Sequence, residues 1–305
     1  MRLRPPRVAA EREPVVTALV ERAPAKINLT LHITARRADG WHELESLVVF
    51  TRSGDTLTLE PGPVLGLTVD GPTAGAAGPL QDNLVFRVTR SLAARVQGLV
   101  SGHFHLVKRL PVAAGIGGGS SDAAAALRLL ARLNALDPSD PRLIAAAAEN
   151  GADIPVCLAK TARMMSGVGE KLGPALKLPP LPALVVNPGV PLETKSVFAR
   201  MGLAPGWHNS ASAHPEITSG QTPDQLFAAL KRGRNDMEDA ACLHAPIVSD
   251  VLAVLSAAPG CRLARMSGSG ATCFALFTTC KQAGRAKKAI QAAHPQWWVK
   301  STMLG

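Results

Sequence analysis

The residues with the clearest chemical meaning form a glycine-rich run, Gly115–Asp122, directly before a segment rich in alanine and leucine. Glycines let backbone N–H groups approach an anion closely, and the start of a following helix adds unpaired donors and a positive dipole end. The run therefore predicts a phosphate-binding loop. A flexible connection is the simpler explanation, but four glycines followed by Ser-Ser-Asp at a helix start favour phosphate binding.

Three common nucleotide-binding motifs do not fit this run. A Walker A loop needs a lysine after its last glycine, and none follows here. The dinucleotide fingerprint G-x-G-x-x-G needs glycine where Ser120 stands, and no acidic residue is placed to hold a ribose. The H-R-D and D-F-G elements of protein kinases are absent from the sequence. The run thus indicates a different class of phosphate-binding protein.

The elements that must position this loop are predicted from periodicity and capping residues. Apolar and polar residues alternate from Lys26 to Thr34, which predicts a half-buried strand with Lys26 and Asn28 on one face. Further strands are predicted at 44–51, 56–59 and 103–107, and helices from Asp82 through Val96 and from Ser121 onward.

Asp153 follows the next predicted helix. That helix is framed by Asp140 as its N-cap and by Asn150-Gly151 as its stop. Because Pro155 favours an extended conformation at Ile154, Asp153 is expected on a short, stiff connection. Such a connection suits a side chain that must hold its position.

The chain divides into an extension and two larger units. The first 24 residues carry five arginines and three glutamates, and residues 1–22 are expected to be a disordered basic extension. The second unit begins with a strand at 183–186, and we place the boundary near residue 166, which gives units 23–166 and 167–305. Its remaining predicted elements are a helix from Asp236 through Ala257, strands at 262–266 and 272–277, a helix at 281–293 and a strand at 297–303. Strands and helices in this order predict an α+β fold.

Three segments, in order, resemble the motifs of the GHMP kinases, a superfamily that includes galactokinase, homoserine kinase and mevalonate kinase. They are the N-terminal segment Pro24–Leu29, the glycine loop Pro111–Ala125 and the C-terminal glycine loop Met266–Phe274. The resemblance extends from about Ala23 to the C-terminal strand. It implies a two-domain α+β fold, with an N-terminal ATP-binding domain of α/β type packed on a ferredoxin-like α/β sandwich.

Within the superfamily the chain is most similar to the branch that phosphorylates the 2-hydroxyl of a cytidine-diphosphate-linked methylerythritol. This resemblance implies ATP and Mg²⁺ as cofactors and makes Lys26 and Asp153 the catalytic pair. Asp153 would accept the proton of the hydroxyl or orient it, while Lys26 would keep Asp153 ionised and stabilise the transferring charge. Taken alone, Lys26 would be a lysine on a solvent face and Asp153 a capping residue, so the motif context decides.

The same resemblance assigns the binding residues. The residues expected to bind ATP are Pro111, Val112, Ala113, Ala114, Gly115, Ile116, Gly117, Gly118, Gly119, Ser120, Ser121, Asn83 and Lys108. The residues expected to bind the acceptor are Asn28, Trp41, His42, Thr194 and Phe198, with Trp41 and Phe198 stacking on the base and His42 reading its edge. The metal ligands are unknown, with Ser121 as one candidate.

Composition narrows the class of protein and its surroundings. Hydrophobic residues are 47% and charged residues 18% of 305, which is typical of a globular chain. The formal charge of +10 favours acidic partners such as nucleic acid, anionic lipid or small polyphosphates. Five cysteines without a C-x-x-C pair indicate a reducing cytoplasm, and no apolar stretch reaches the length of a membrane span. We expect small-molecule partners, without nucleic acid or membrane, and leave the oligomeric state open.

Three other functions remain open. Another GHMP kinase, of homoserine or mevalonate type, would have no use for a stacking ring at Trp41. A non-catalytic ATP-binding sensor would not need both Lys26 and Asp153. A basic nucleic-acid-binding protein could use the lysines and tryptophans of 281–300, but its glycine loop would be superfluous.

Overall fold

The computed structural model describes residues 17–210 and 213–305, and these form eleven strands and nine α-helices. The strands are β1 (Leu19–Asn28), β2 (His32–Arg36), β3 (His42–Pro61), β4 (Gly66–Asp70), β5 (Gly102–Val107), β6 (Arg163–Gly167), β7 (Lys171–Ala175), β8 (Leu181–Asn187), β9 (Cys261–Met266), β10 (Cys273–Phe277) and β11 (Trp298–Leu304). The helices are α1 (Leu84–Ala93), α2 (Gly118–Leu133), α3 (Pro141–Asn150), α4 (Ile154–Ala159), α5 (Thr194–Met201), α6 (Pro223–Arg232), α7 (Glu238–His244), α8 (Ile247–Ser256) and α9 (Cys280–Ala293).

The long strand β3 organises the first sheet. β1, β2, β5 and β6 all pair with it in antiparallel register, β4 runs parallel to β5, and β7 extends the sheet from β6. The two short strands predicted at 44–51 and 56–59 are parts of this one strand. The residues between them stay extended because Ala23 and Pro24 of β1 lie opposite Asp55 and Gly54.

Four strands form the second half of the sheet system, in the order β11, β8, β10 and β9. Each neighbouring pair is antiparallel. β11 also meets β3, where Leu304 pairs with Thr51, so the strand order is continuous across the molecule.

Helices cover the sheets and complete the core. α2 packs on β1 through the buried alanines Ala123–Ala126, whose small side chains allow a close approach, and α1, α3 and α4 pack around it. α8 covers β9 and β10, and α9 covers β8 and β11. This arrangement confirms the α+β class. In the part of the chain that the structure describes, no helix is both long and apolar enough to cross a membrane.

One buried cluster joins the two halves of the chain. Ile27 of β1 and Leu29, just after this strand, pack in the same cluster as Val185 of β8 and Phe274 of β10. The boundary predicted near residue 166 falls inside β6, and both β6 and β7 belong to the first sheet. The division into 23–166 and 167–305 remains a prediction.

The predicted N-terminal extension is corrected at its end. Residues 1–16 lie outside the described residues, whereas residues 19–22 belong to β1 and pair with β3. Glu21 helps to fix this part of the strand, because its carboxylate lies 3.2 Å from Arg128 and 2.8 Å from Lys160. Residues 19–22 were not predicted as a strand, because the alternation of apolar and polar residues was recognised only from Lys26 onward.

The strand predicted from Lys26 to Thr34 is also different in the structure. It is interrupted after Asn28, and β2 resumes at His32. The polar face is not exposed to solvent: Asn28, Thr30 and His32 are all buried. Elements from the second half of the chain cover this face, with Arg234 accepting from the backbone N–H of Leu31 at 2.8 Å.

Two predictions of local structure are wrong near prolines. Ile154 is not extended; it begins α4, with Asp153 as the N-cap in a helical conformation and Pro155 in the first turn. Proline is compatible with that turn because the backbone N–H that it lacks would have no partner inside the helix there. The single helix predicted from Asp236 through Ala257 is two helices, α7 and α8, and Pro246 caps the second.

His32 predicts a pH dependence of stability. Burial, followed by the nearby charge of Arg234, lowers the pKa of His32 from 6.5 to about 4. Between these values the unfolded chain binds a proton that the folded chain does not, so the free energy of unfolding decreases as the pH falls through this window. His32→Gln keeps an acceptor for the N–H of Arg234, which His32 Nε2 accepts at 3.1 Å. We expect this variant to lose about 1 to 3 kcal/mol less than the wild type between pH 7 and pH 4.5.

Urea unfolding at several pH values measures this difference. The exposed His244, in the last turn of α7, supplies the control variant His244→Gln. Equal slopes for wild type and His32→Gln would show that His32 does not titrate in this window.

Candidate active site

A cavity of about 1130 Å³ brings together residues from both halves of the chain. Its walls are formed by the glycine loop, the start of α4, the turn between β2 and β3, the start of α5 and the C-terminal glycine loop. Most of the predicted site residues line it: Lys26, Asn28, Trp41, His42, Val112, Ala113, Ala114, Gly115, Gly117, Gly118, Gly119, Ser120, Asp153, Thr194 and Phe198. The structure therefore brings these predicted residues together around one cavity.

The glycine loop ends in the N-terminus of α2. Gly117 is the N-cap and has a left-handed φ of 60°, which glycine adopts without steric cost. α2 begins at Gly118, so the first N–H groups of the helix, which have no partner inside it, lie on the cavity wall. This geometry, with the positive end of the helix dipole, can hold phosphate oxygens.

Lys26 and Asp153 form an ion pair in the cavity. Lys26 Nζ lies 2.8 Å from Asp153 Oδ2, and the lysine side chain is almost fully buried. The backbone N–H of Lys26 donates to the carbonyl of Ile116 at 2.9 Å, which fixes the lysine beside the glycine loop. A cation and a carboxylate are thus held next to the predicted phosphate site.

The C-terminal glycine loop packs directly on the first one. Ser267 Oγ accepts from the N–H of Asn28 at 3.1 Å and donates to the carbonyl of Gly115 at 3.2 Å. A Cβ atom built on Gly115 would lie 2.6 Å from the carbonyl oxygens of Ser267 and Gly270. Only glycine fits at this contact, so the two loops fix each other's backbone.

Asn28 and Thr194 also line the cavity. Asn28 Nδ2 donates to Ser46 Oγ at 2.7 Å, while its Oδ1 is buried and has no partner among the described residues. Thr194 Oγ1 lies 2.8 Å from Ser269 Oγ. Asn28 is thus held in place at the cavity wall by its hydrogen bond to Ser46.

Aromatic rings line the part of the cavity that is formed by the β2–β3 turn and α5. The side chain of Trp41 is 61% exposed, which excludes a role in the core. The ring of His42 stacks on that of Phe198, with centroids 4.1 Å apart and an angle of 10° between the planes. Burial and then the charge of Arg36 lower the pKa of His42, which favours a neutral imidazole. This end can bind a flat heterocycle.

Five residues expected at the ATP site are not on the cavity wall: Pro111, Ile116, Asn83, Ser121 and Lys108. Asn83 caps α1, since its Oδ1 accepts from the N–H of Val85 at 2.9 Å. The hydroxyl of Ser121 donates to the carbonyl of Pro24 at 2.7 Å and is buried, so it does not face the cavity as a metal ligand would.

Lys108 lies behind the glycine loop in a buried cluster of charges. Its Nζ contacts Asp55 at 2.5 Å and Asp122 at 2.7 Å. Burial lowers the pKa of Lys108, but the charges of Asp122 and Asp55 outweigh it and raise the value. Burial raises the pKa of Asp122, and the charge of Lys108 opposes this shift. Lys108 is thus held behind the glycine loop by two carboxylates, one of which, that of Asp122, belongs to α2.

Several cavity residues were not foreseen from the sequence. They include Arg36, Met165, Val168, Glu193, Lys195 and Ser269. Ser269 lies within the C-terminal glycine motif, so that motif was the signal for it. Arg36 pairs with His42 across the β2–β3 turn, and the Asp39-Gly40 turn signal could have placed it there.

Comparison with known proteins identifies the family. Residues 83–161 match the family described as the GHMP kinases N terminal domain, and residues 223–296 match GHMP kinases C terminal. A 4-diphosphocytidyl-2-C-methyl-D-erythritol kinase of Methylobacterium radiotolerans is 59% identical over 290 residues, covering 95% of this chain and 100% of that protein. The chain belongs to this kinase family. It is accordingly an ATP-dependent small-molecule kinase.

Solved structures agree with this assignment. A crystal structure of 4-(cytidine 5'-diphospho)-2C-methyl-D-erythritol kinase is 33% identical, with a TM-score of 0.72 over 94% of this chain and 99% of that chain. A homoserine kinase from Cytophaga hutchinsonii has a TM-score of 0.64 over 97% of this chain and 98% of that chain, at 17% identity. At 17% identity, the second similarity shows a shared fold and does not indicate which acceptor this chain phosphorylates.

Proposed function

We propose that this kinase transfers the γ-phosphoryl group of ATP to the 2-hydroxyl of 4-diphosphocytidyl-2-C-methyl-D-erythritol, in the non-mevalonate route to isoprenoid precursors. The observation that carries the proposal is the cavity itself. It joins a phosphate-binding loop, the Lys26–Asp153 ion pair and the exposed ring of Trp41. These are the parts needed for a kinase whose acceptor carries a nucleobase.

At the ATP end, backbone groups supply most of the binding. The N–H groups at the start of α2 and the helix dipole attract the phosphates, and the side chains at Gly118 and Gly119 are absent, which leaves room for them. ATP provides the phosphoryl group and leaves as ADP.

At the centre, Asp153 and Lys26 act on the acceptor hydroxyl. Asp153 orients the hydroxyl and takes its proton as the oxygen attacks phosphorus. Lys26 Nζ, 2.8 Å from Asp153, offers positive charge to the transferring phosphoryl group. Asn28 lines the same cavity and would contact the acceptor.

Mg²⁺ is the expected metal, and the cavity residues fit it. Protein-bound Mg²⁺ with ATP is held mainly by phosphate oxygens and waters, with one or two protein oxygens. The hydroxyl of Ser120, which lies on the cavity wall at the start of α2, would hold the ion. Bound there, Mg²⁺ neutralises part of the phosphate charge.

An assay with three acceptors tests the function. The full chain is incubated with ATP and Mg²⁺ together with the cytidyl substrate, homoserine or mevalonate, and ADP formation is measured. We expect turnover with the cytidyl substrate alone. Preference for homoserine or mevalonate would replace the proposed acceptor, and no turnover with any of them would favour a binding protein.

Trp41 should contribute to acceptor binding through stacking. Stacking of a base on an aromatic ring contributes about 1 to 3 kcal/mol, so Trp41→Ala should raise the KM for the cytidyl acceptor by roughly 5- to 150-fold. Because the ring is largely exposed, folding should be unaffected. Steady-state kinetics with each substrate varied in turn measure the effect.

The KM for ATP is the internal control in this experiment, since Trp41 belongs to the turn between β2 and β3 and not to the glycine loop. An unchanged acceptor KM would remove the ring from the base site. A lowered melting temperature would assign it a structural role instead.

The expected partners and compartment belong to the same proposal. We propose that the kinase acts on small molecules in the cytoplasm without nucleic acid or membrane as a partner. The five cysteines are all free thiols, which supports a reducing compartment.

A further inference from the structure

Lys195 is a cation on the cavity wall to which the catalytic steps give no role. It lies in the first turn of α5, and its side chain is exposed. In the part of the chain that the structure describes, Lys195 makes no ion pair and no side-chain hydrogen bond, although Glu193 lies two residues earlier on the same wall. Its ammonium group is therefore available to an anion that enters the cavity.

The other cations on this wall are already engaged. Lys26 pairs with Asp153 at 2.8 Å, and the guanidinium of Arg36 donates to the carbonyl of Leu203. The proposed acceptor carries a diphosphate, whose negative charges lose part of their hydration when the substrate enters the cavity. Such charges are stabilised by a cation that forms charge-assisted hydrogen bonds with the phosphate oxygens. Lys195 is the cation of the wall that remains for this contact.

α5 presents one face to the cavity. The residues of this face follow the spacing i, i+3, i+4 and i+7 of a single helix side, and they are Lys195, Phe198, Ala199 and Gly202. Val197, between them in sequence, is buried instead. The helix thus aligns a cation and an aromatic ring along the same wall, about 4.5 Å apart in rise along the axis.

The start of α5 is joined to the C-terminal glycine loop, which packs on the phosphate loop. Thr194 Oγ1 lies 2.8 Å from Ser269 Oγ in that loop, whereas Phe198, one turn further along the helix, stacks on His42. Lys195 therefore lies on the helix between the end that contacts the loops and the end that carries the ring. In the acceptor the diphosphate has the corresponding position, between the cytidine and the carbon that bears the reacting hydroxyl.

We propose that Lys195 binds the diphosphate of the acceptor, with its ammonium group donating to the phosphate oxygens. This inference rests on the proposed function. It gives each part of the acceptor its own contact, since the rings hold the base, Lys195 holds the diphosphate and Asp153 acts on the hydroxyl. Because the lysine takes no part in the phosphoryl transfer, it affects how tightly the acceptor binds and not how fast the bound acceptor reacts.

Calorimetry with cytidine and CDP tests the assignment on the full chain, with saturating ADP present to fill the glycine loop. Lys195→Met removes the charge and the donors and keeps an unbranched apolar side chain. Because solvent screens part of the charge of an exposed lysine, we expect the affinity for CDP to fall by about 5- to 30-fold and that for cytidine to stay unchanged. The KM for the cytidyl acceptor should rise by a similar factor, with kcat and the KM for ATP close to wild type.

Arg200→Met is the matched control, because Arg200 is an exposed cation of the same helix that does not line the cavity. This variant also removes one positive charge from α5 and should leave both affinities unchanged. Lys195→Arg keeps the charge and should bind CDP more tightly than Lys195→Met does. Added salt should weaken CDP binding more in the wild type than in Lys195→Met.

Three results would overturn the inference. An unchanged CDP affinity in Lys195→Met, or a loss no larger than that of Arg200→Met, would remove Lys195 from the diphosphate. Equal losses for cytidine and CDP would assign the lysine to the base or to the fold. A raised KM for ATP with an unchanged acceptor KM would place it on the phosphates of ATP.

The proposed function and the role of Lys195 fail separately in these experiments. If the wild type neither binds CDP nor phosphorylates the cytidyl substrate, the proposed function is rejected and this inference with it. If the wild type does both and Lys195→Met behaves as the wild type does, the role of Lys195 alone is rejected.

Discussion

Replacing Asp153 with asparagine should lower turnover by about 10²- to 10⁴-fold, the usual contribution of general-base assistance, while both substrates should still bind. Asparagine keeps the shape of the side chain but removes the proton acceptor and the negative charge that faces Lys26 Nζ at 2.8 Å. Single-turnover kinetics with saturating ATP and acceptor measure the chemical step, and calorimetry measures binding separately.

The exposed Asp250 in the first turn of α8 gives a control, since Asp250→Asn should leave turnover unchanged. If the transfer is strongly dissociative, the hydroxyl keeps its proton until late, and Asp153 then mainly orients it and pairs with Lys26. A double-mutant cycle with Lys26→Met addresses this case, because residues that act as one unit show non-additive losses. Turnover near the wild-type value in Asp153→Asn would remove Asp153 from the mechanism.

A single methyl group at Gly115 should disable the phosphate loop. Gly115 has a φ of +72°, and a Cβ there would lie 2.6 Å from two backbone oxygens of the C-terminal glycine loop. Backbone atoms cannot rotate away as a flexible side chain can, so one of the two loops must move. Strain of about 1 to 3 kcal/mol is expected, and Gly115→Ala should weaken ATP binding by roughly 10- to 100-fold.

Gly284→Ala, in α9 and outside the cavity, is the matched control. A Cβ at Gly284 would meet no atom within 4 Å, and alanine is favourable inside a helix. Calorimetry should therefore give an ATP affinity close to wild type for Gly284→Ala and a lowered affinity for Gly115→Ala. Equal behaviour of the two variants would show that the loop contact does not control the site.

The sequence predicts best what is determined locally. Asp140 caps α3 as expected, because a cap depends on a hydrogen bond to an N–H two residues away. The break between α7 and α8 was also local, since Pro246 marks it, and weighing that proline against the apolar periodicity would have found it.

Features that depend on distant parts of the chain were not predictable in this way. The polar face of β1 is buried because residues of the second half of the chain cover it, and alternation alone cannot distinguish that cover from solvent. The pairing of Lys26 with Asp153 was inferred from a family resemblance, since nothing in their spacing brings them together.

The position of β11 has a consequence for how the protein is made. This strand follows the other ten in the sequence, yet it lies between β3 and β8. During synthesis the ribosome therefore releases both neighbours before the strand that joins them, and each presents an unpaired edge until then. Exposed edges are templates for pairing with other chains. The nascent protein thus passes through a period in which aggregation competes with folding, and this period ends only when residues 298–304 emerge and insert.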